Sequence, residues 1–301
     1  EAVFAKLAQL AGKGAFPRGI IPGALVAKLR GGTAQTKPLP DPELPPIKRG
    51  ELCNLRGGIQ DLPTALGERL GDALRTQWKA LRISHTGSGF TVLFDTPAGQ
   101  QEVIAGKLIL AVAAYTAADL LEPMGFAATA ALRDIPYPEV ASVITSWDQS
   151  IAAPSAGVPR GFGYLIPRSE GIRSLGTVFT STLFEGRAPG GRRLFSSFIG
   201  GATDPDLPKL GDDEIAHQVS ADIATCCGLQ SPGDAVETLA VHRWKQAIPQ
   251  YNLGHLGRIR TVEEAAEAFP GLQIVGNFFD GVALGDCIRR GRSGAREVLH
   301  R

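Results

Sequence analysis

Long hydrophobic runs are missing from this 301-residue chain. Its longest apolar stretch, Leu108 to Ala118, falls well short of the roughly 20 residues that a bilayer-spanning helix needs, so no such helix is expected. Charge of one sign is missing too. A total of 31 Lys and Arg against 30 Asp and Glu leaves a net charge of +1, without the broad positive field that non-specific nucleic-acid binding requires. DNA and RNA are therefore not expected partners. Cysteine is scarce: Cys53, Cys226, Cys227 and Cys287 show no C-x-x-C spacing and two of them are adjacent. That geometry suits neither a disulfide framework nor a zinc site, so reduced thiols and no metal are expected. No G-x-S-x-G, H-E-x-x-H, P-loop or paired-carboxylate arrangement occurs, nor a complete G-x-G-x-x-G. Hydrolytic and phosphoryl-transfer chemistry thus has no visible machinery. The chain opens at Glu1 with neither an initiator Met nor a targeting segment, and a piece of a longer protein is expected.

What is present is the composition of one large or two modest globular units, 44% hydrophobic and 20% charged with mean hydropathy near zero. Two short helical patterns, Ala2 to Leu10 and Ile20 to Leu29, precede a proline-rich connection from Thr36 to Pro46. A boundary falls near Lys48. Asp61-Leu62-Pro63 then starts a helix through Leu70, followed by strands at Trp78 to Ser84, Phe90 to Asp95 and Leu108 to Val112. Further strands at Val140 to Trp147, Phe162 to Ile166, Leu175 to Leu183 and Leu194 to Ile199 suggest an antiparallel sheet. A helix over Asp212 to Cys227, strands at Val236 to His242 and Leu272 to Gly276, and a closing helix from Gly281 complete the pattern.

Chemistry points first to the end of the chain, where a strand runs through Gly276 and Gly281 into that last helix. A helix start there would aim free N–H groups and a positive dipole end at a phosphate or an anionic flavin ring; a plain packing joint has the same spacing. Arg56-Gly57-Gly58 before a helix is either an anion nest or a turn. Trp244, Tyr251 and His255 lie within a dozen residues, a composition found beside planar cofactors and also in ordinary core. His255 reads as a proton carrier or as a structural group.

Five blocks in order carry a family resemblance: Leu55 to Pro63, Gly161 to Pro167, Leu175 to Pro189, Trp244 to His255, and Gly276 to Gly285. Together they resemble the oxygen-dependent protoporphyrinogen oxidases of haem and chlorophyll synthesis, nearest the cyanobacterial and plant-plastid form. The resemblance covers essentially the whole chain but begins partway into the family pattern, without its amino-terminal strand, glycine fingerprint and Glu-Arg flavin motif. It implies a mixed α/β fold, the C-terminal part of a FAD-dependent amine-oxidase-like architecture with an antiparallel-sheet substrate domain. Its divisions are 1–47, a remnant of a helical membrane-associating domain and linker; 48–125, the middle of the FAD-binding domain; 126–238, the substrate domain; and 239–301, the C-terminal FAD segment.

The same resemblance implies FAD as cofactor, held near Lys79, Trp244, Gly281, Val282, Ala283 and Leu284. Gly163, Leu165 and Phe184 fall in blocks that line a tetrapyrrole pocket, with Leu165 and Phe184 expected on neighbouring strands. Protoporphyrinogen IX and oxygen are the implied reactants, a peripheral membrane surface in a plastid or at a bacterial cytoplasmic membrane the implied location, and a homodimer an expected assembly. No catalytic side chain is singled out, because the flavin carries the redox step. A polyamine oxidase or carotenoid desaturase would share the final glycine pattern, but the Gly161 to Pro167 and Leu175 to Pro189 blocks argue against both. A non-catalytic tetrapyrrole-binding protein is the alternative of another class.

Overall fold

Asp61 both opens the first helix and holds the turn before it. In the computed structural model, which describes residues 54–87, 89–150, 161–229 and 235–300, helix α1 spans Asp61–Leu70. The Asp61 carboxylate accepts the Gly57 N–H at 2.8 Å, and a Cβ on Gly57 would collide with it. The Arg56-Gly57-Gly58 segment is therefore a turn whose donor is taken by its own helix. The helical patterns and proline-rich connection expected before residue 48 lie outside the described residues.

Three antiparallel strands follow in the order β1 (Lys79–Thr86), β2 (Gly89–Thr96) and β3 (Gly99–Ala105). Phe90 and Ile83 on this sheet are fully buried, and the Phe90 ring lies 4.9 Å from His85. The apolar stretch beginning at Leu108 divides into strand β4 (Leu108–Leu110) and helix α2 (Ala114–Leu121). Helical spacing puts Ala114, Ala117, Ala118 and Leu121 on the buried face of α2. A short α3 (Thr129–Arg133) packs on it.

The second unit, Pro136–Gln250, is built on a five-stranded antiparallel sheet. Its strands are β5 (Val140–Asp148), β6 (Gly163–Leu165), β7 (Gly176–Val178), β8 (Arg192–Gly200) and β9 (Val236–Trp244), in spatial order β6-β7-β8-β5-β9. Between β7 and β8 comes α4 (Thr180–Leu183), so the expected strand from Leu175 to Leu183 is corrected to a three-residue strand and one helical turn. The cause is local bonding: Thr180 Oγ1 meets Ser196 Oγ at 2.8 Å, and Ser181 Oγ accepts the Leu194 N–H at 2.9 Å. Hydroxyls thus draw a β-prone sequence into a turn against β8.

Helix α5 (Asp212–Cys227) covers one face of this sheet. Its start is acidic, with Glu214 accepting the Gly211 N–H at 3.1 Å, and it ends at Gly228 in a left-handed conformation. Ile215, Val219 and Ile223 pack onto Val143, Trp147, Phe195 and Ile199. Buried Asp222, on the same helix, accepts from the Ser174 N–H at 3.0 Å, the Ser174 hydroxyl at 2.5 Å and Gln218 Nε2 at 2.8 Å. Three donors make that buried carboxylate tolerable and tie α5 to the chain entering β7.

Residues 251–300 return to the first unit as α6 (His255–Ala266), β10 (Leu272–Ile274) and α7 (Leu284–His300). Strand β10 pairs in parallel with β4, Leu272 opposite Leu108 and Ile274 opposite Leu110. Lys107 Nζ donates to the Val298 carbonyl at 2.6 Å, placing a cation at the negative end of α7. The unit boundaries fall at 135/136 and 250/251, against the expected 125/126 and 238/239. The segment after β9 stays with the second unit because Gln250 and Ala247 donate to the carbonyls of Pro136 and Pro138, at 2.9 and 3.2 Å.

Candidate functional site

Strand register assembles a side-chain row across the second unit. Leu165 on β6 lies opposite Gly176, Gly176 opposite Phe198, Phe198 opposite Ser142, and Ser142 opposite His242. Directly opposed residues in a pleated sheet point to the same side. The neighbouring row, Tyr164, Thr177, Ser197, Val143 and Val241, supplies Tyr164, Val143 and Val241 to the core beneath α5, so the Leu165 row occupies the opposite face. On that face Leu165 is 88% and Phe198 38% exposed, while Ser142 is buried. The third row sets Trp244 opposite Val140 and Val140 opposite Gly200, and the Trp244 ring lies 6.3 Å from His242.

Glycine makes this row fit. A Cβ on Gly176 would collide with the Tyr164 carbonyl and meet Leu165 Cδ2 at 3.1 Å, so the Leu165 side chain rests over a bare backbone. Gly163, at φ +145, approaches the Thr177 carbonyl where no other residue could sit. Phe184 is corrected: it follows α4 with extended backbone and belongs to no strand, so it is not the cross-strand companion of Leu165. Gly176 is the partner of Leu165 on the neighbouring strand, and Phe198 follows one strand further along the same row, on β8.

In the first unit the segment between β10 and α7 is pinned from one side. His255 is 2% exposed and its Nε2 lies 2.8 Å from the Phe278 carbonyl, which fixes that nitrogen as the donor. The Tyr251 ring stacks on His255 at 4.4 Å, and its hydroxyl donates to the Asn277 carbonyl. Burial holds the His255 pKa below the usual imidazole value, opposed by the Phe278 carbonyl and assisted by the Arg258 charge. A neutral, buried ring bonded to a backbone carbonyl is a positioning group.

The closing helix starts at Leu284 rather than at Gly281, a correction with a clear cause. The Ala283 carbonyl accepts the Asp286 and Cys287 N–H groups at 2.9 and 3.0 Å, and the Asp286 side chain occupies the space over Gly281. Gly276 likewise has no room for a Cβ beside the Phe278 ring. Both glycines are required by the joint's own packing. Val282 and Ala283 are exposed ahead of a 17-residue helix that the exposed Leu284 opens; with the Asp286 and Cys287 N–H groups taken by the Ala283 carbonyl, the N–H groups of Leu284 and Gly285 remain at the positive dipole end. That end fits an anionic cofactor edge. Lys79 opens β1, exposed and opposite Asp95, in a different sheet from β10, and Trp244 belongs to the sheet of the second unit.

The sequence pattern of the family "Flavin containing amine oxidoreductase" matches residues 46–299. The chain belongs to this family. Protoporphyrinogen oxidase 1, chloroplastic, of Spinacia oleracea is 34% identical over 305 residues, covering 97% of this chain and 54% of that protein. The chloroplastic protoporphyrinogen oxidase of Oryza sativa subsp. japonica is 32% identical over 304 residues, covering 99% and 56%. The chain thus spans about half the length of these relatives. Among solved structures, a provisionally assigned protoporphyrinogen oxidase of Exiguobacterium sp. 255-15 superposes with TM-score 0.66 at 22% identity, covering 81% of this chain and 51% of that one. This likeness supports the flavin amine-oxidase fold, and the flavin family membership agrees with the helix-start geometry.

Proposed function

We propose that this chain takes part in the oxidation of protoporphyrinogen IX to protoporphyrin IX, with FAD as cofactor and oxygen as acceptor. The observation that carries the reading is the row Leu165, Gly176, Phe198, Ser142 and His242 on the sheet face opposite α5. Its exposed Leu165 and partly exposed Phe198 offer apolar contact and its exposed His242 a polar group, and the substrate is an apolar macrocycle with peripheral carboxylates. Leu165, Gly163 and Phe198 are proposed as parts of this surface, and Phe184 as a further substrate neighbour. Bound FAD would supply the hydride acceptor. The exposed Val282, Ala283 and Leu284, with Gly281 before them, would hold the flavin edge against the α7 N-terminus, and Lys79 and Trp244 are proposed as further flavin neighbours. What the protein contributes is position and exclusion of water, and no side chain need act as nucleophile.

The proposed setting is the surface of a plastid or bacterial cytoplasmic membrane, and among the described residues no helix is long and apolar enough to cross a bilayer. Protoporphyrin IX titrated into the purified chain, followed by its absorbance, tests the surface directly. Leu165→Ala and Phe198→Ala should each weaken binding by roughly tenfold, from apolar contact worth about 1–3 kcal/mol, and unchanged curves would reject it. Turnover is tested by joining the chain to the part of the spinach relative that it does not cover and following fluorescent porphyrin in air. Oxidation of putrescine instead would favour an amine oxidase.

A further inference from the structure

The buried hydroxyls of the five-stranded sheet are satisfied by side chains of the same unit, with one exception. Thr177 Oγ1 and Ser197 Oγ lie 2.8 Å apart, Trp147 Nε1 donates to Thr145 Oγ1 at 3.0 Å, and Arg192 Nε donates to Ser146 Oγ at 2.9 Å. Ser142 is 7% exposed, and among the described residues its hydroxyl has no hydrogen-bond partner. Strand register sets it on the face away from α5, between Phe198 on β8 and His242 on β9. A sheltered hydroxyl without a partner is unfavourable, so an acceptor arriving on this face is favoured there.

Its neighbour decides the kind of acceptor. Directly opposed Cβ atoms in an antiparallel pair are about 4.5–5.5 Å apart, which brings the Ser142 hydroxyl and the exposed His242 ring to one place. The hydroxyl is one donor, and the imidazole supplies one N–H when neutral and two when charged. The flanking rows on this face, Val140 with Trp244 and Ile144 with Ala240, carry no carboxylate, and Glu237, further along β9, lies 3.8 Å from Arg192. Two donors with no acid beside them suit an anion with two acceptor oxygens, a carboxylate. Phe198 stands two strands from His242, about 10 Å away. A macrocycle resting on Leu165 and Phe198 would therefore meet the pair with an acidic arm rather than with its ring.

We infer that Ser142 and His242 together hold a peripheral carboxylate of the tetrapyrrole and so fix how the macrocycle is turned on the sheet. The inference rests on the reading of this face as the macrocycle surface, and it assigns the pair to binding and orientation.

Titration of the purified 301-residue chain with protoporphyrin IX and with its dimethyl ester, in the same detergent buffer, tests this, because the ester keeps the ring and loses both anions. The free acid should bind at least about tenfold tighter. Ser142→Ala and His242→Leu should each weaken the acid several-fold and leave the ester unmoved. His242→Gln, which keeps a donor, should retain most of the preference, with melting temperatures recorded to confirm folding. Leu165→Ala should weaken both porphyrins alike. Acid and ester that bind equally well and both respond to Leu165→Ala would overturn the pair assignment while the surface stands. If neither porphyrin binds saturably, or Leu165→Ala changes neither, the surface falls and takes the assignment with it. A folded Ser142→Ala or His242→Leu chain that loses acid and ester equally also overturns it, by leaving those side chains as packing alone.

Discussion

In the second unit, Leu165, Phe198 and His242 are far apart in sequence and are set in one row across the sheet, with Gly176 and Ser142 between them, by strand register. In the first, Gly281, Val282, Ala283 and Leu284 are consecutive, and what fixes the segment before them comes from Tyr251 and His255 bonding to carbonyls at Asn277 and Phe278. The sheet surface therefore depends on many ladder bonds and a buried core, the joint on two side chains. A surface of the first kind should fail only when its core fails, and one of the second kind should loosen locally.

The harshest way to break the comparison is through the core of the sheet. Phe195 is fully buried on the face that packs on α5, so Phe195→Ala should destabilise the second unit by about 3–5 kcal/mol, read from denaturant unfolding. Porphyrin binding should be lost with the fold. Hydrogen exchange at Leu108 to Leu110, in the first unit, should change little; equal loss of protection there would show that the two units do not unfold separately.

A smaller insult strikes the tie between α5 and β7. Asp222→Ala leaves the Ser174 N–H buried without an acceptor, which costs about 1–3 kcal/mol. Because Ser174 leads into Gly176, exchange should rise first in β6 and β7, before β5 and β8. Uniform loss of protection over the whole sheet would contradict a local tie.

Much of this was legible in the sequence where local signals agree. Asp61-Leu-Pro marked α1, though Asp61 is its first residue rather than its cap, and an amphipathic pattern with an acidic start marked α5. Strand β3 was missed because Gly99-Gln-Gln-Glu102 is polar and exposed and shows no alternation. Helix α6 was missed because its charges run round the helix, with only His255, Ile259 and Val262 buried. The apolar stretch at Leu108 to Ala118 concealed a strand and a helix, since buried strands and buried helix faces look alike without periodicity. As for the candidate site, sequence could name Leu165 but not Phe198 or His242, whose place in the same row exists only in the register. It placed glycines at 276 and 281 but not the reason for them, which lies in the Phe278 ring and the Asp286 side chain.

On the joint itself, Tyr251→Phe removes the hydroxyl that donates to Asn277 while keeping the ring stacked on His255. A single hydrogen bond of this kind contributes about 0.5–1.5 kcal/mol. Faster exchange confined to residues 276–279 is expected, with the unfolding midpoint of the second unit unmoved. Were the whole first unit to lose protection equally, the hydroxyl would be part of a global core rather than a local pin.

The gentlest probe of the joint is pH. Burial lowers the His255 pKa in the folded chain from its ordinary 6.5, so over the interval below 6.5 the unfolded chain binds more protons than the folded one. Stability then rises with pH through that interval. The contribution of the neutral ring is complete above 6.5 and is lost as pH falls towards the lowered value, with a slope of at most about 1.4 kcal/mol per pH unit. Protonation would place a positive charge on a buried ring whose Nδ1 has no partner and whose charged neighbour is Arg258, with the Tyr251 face to favour it. His255→Gln supplies a donor for the Phe278 carbonyl that does not titrate. Unfolding midpoints at about pH 7.5 and about pH 5.5 should fall further for the native chain than for His255→Gln, and exchange at residues 276–279 should accelerate in the native chain alone. Parallel losses in the two proteins would assign the pH dependence to other groups and leave His255 as packing.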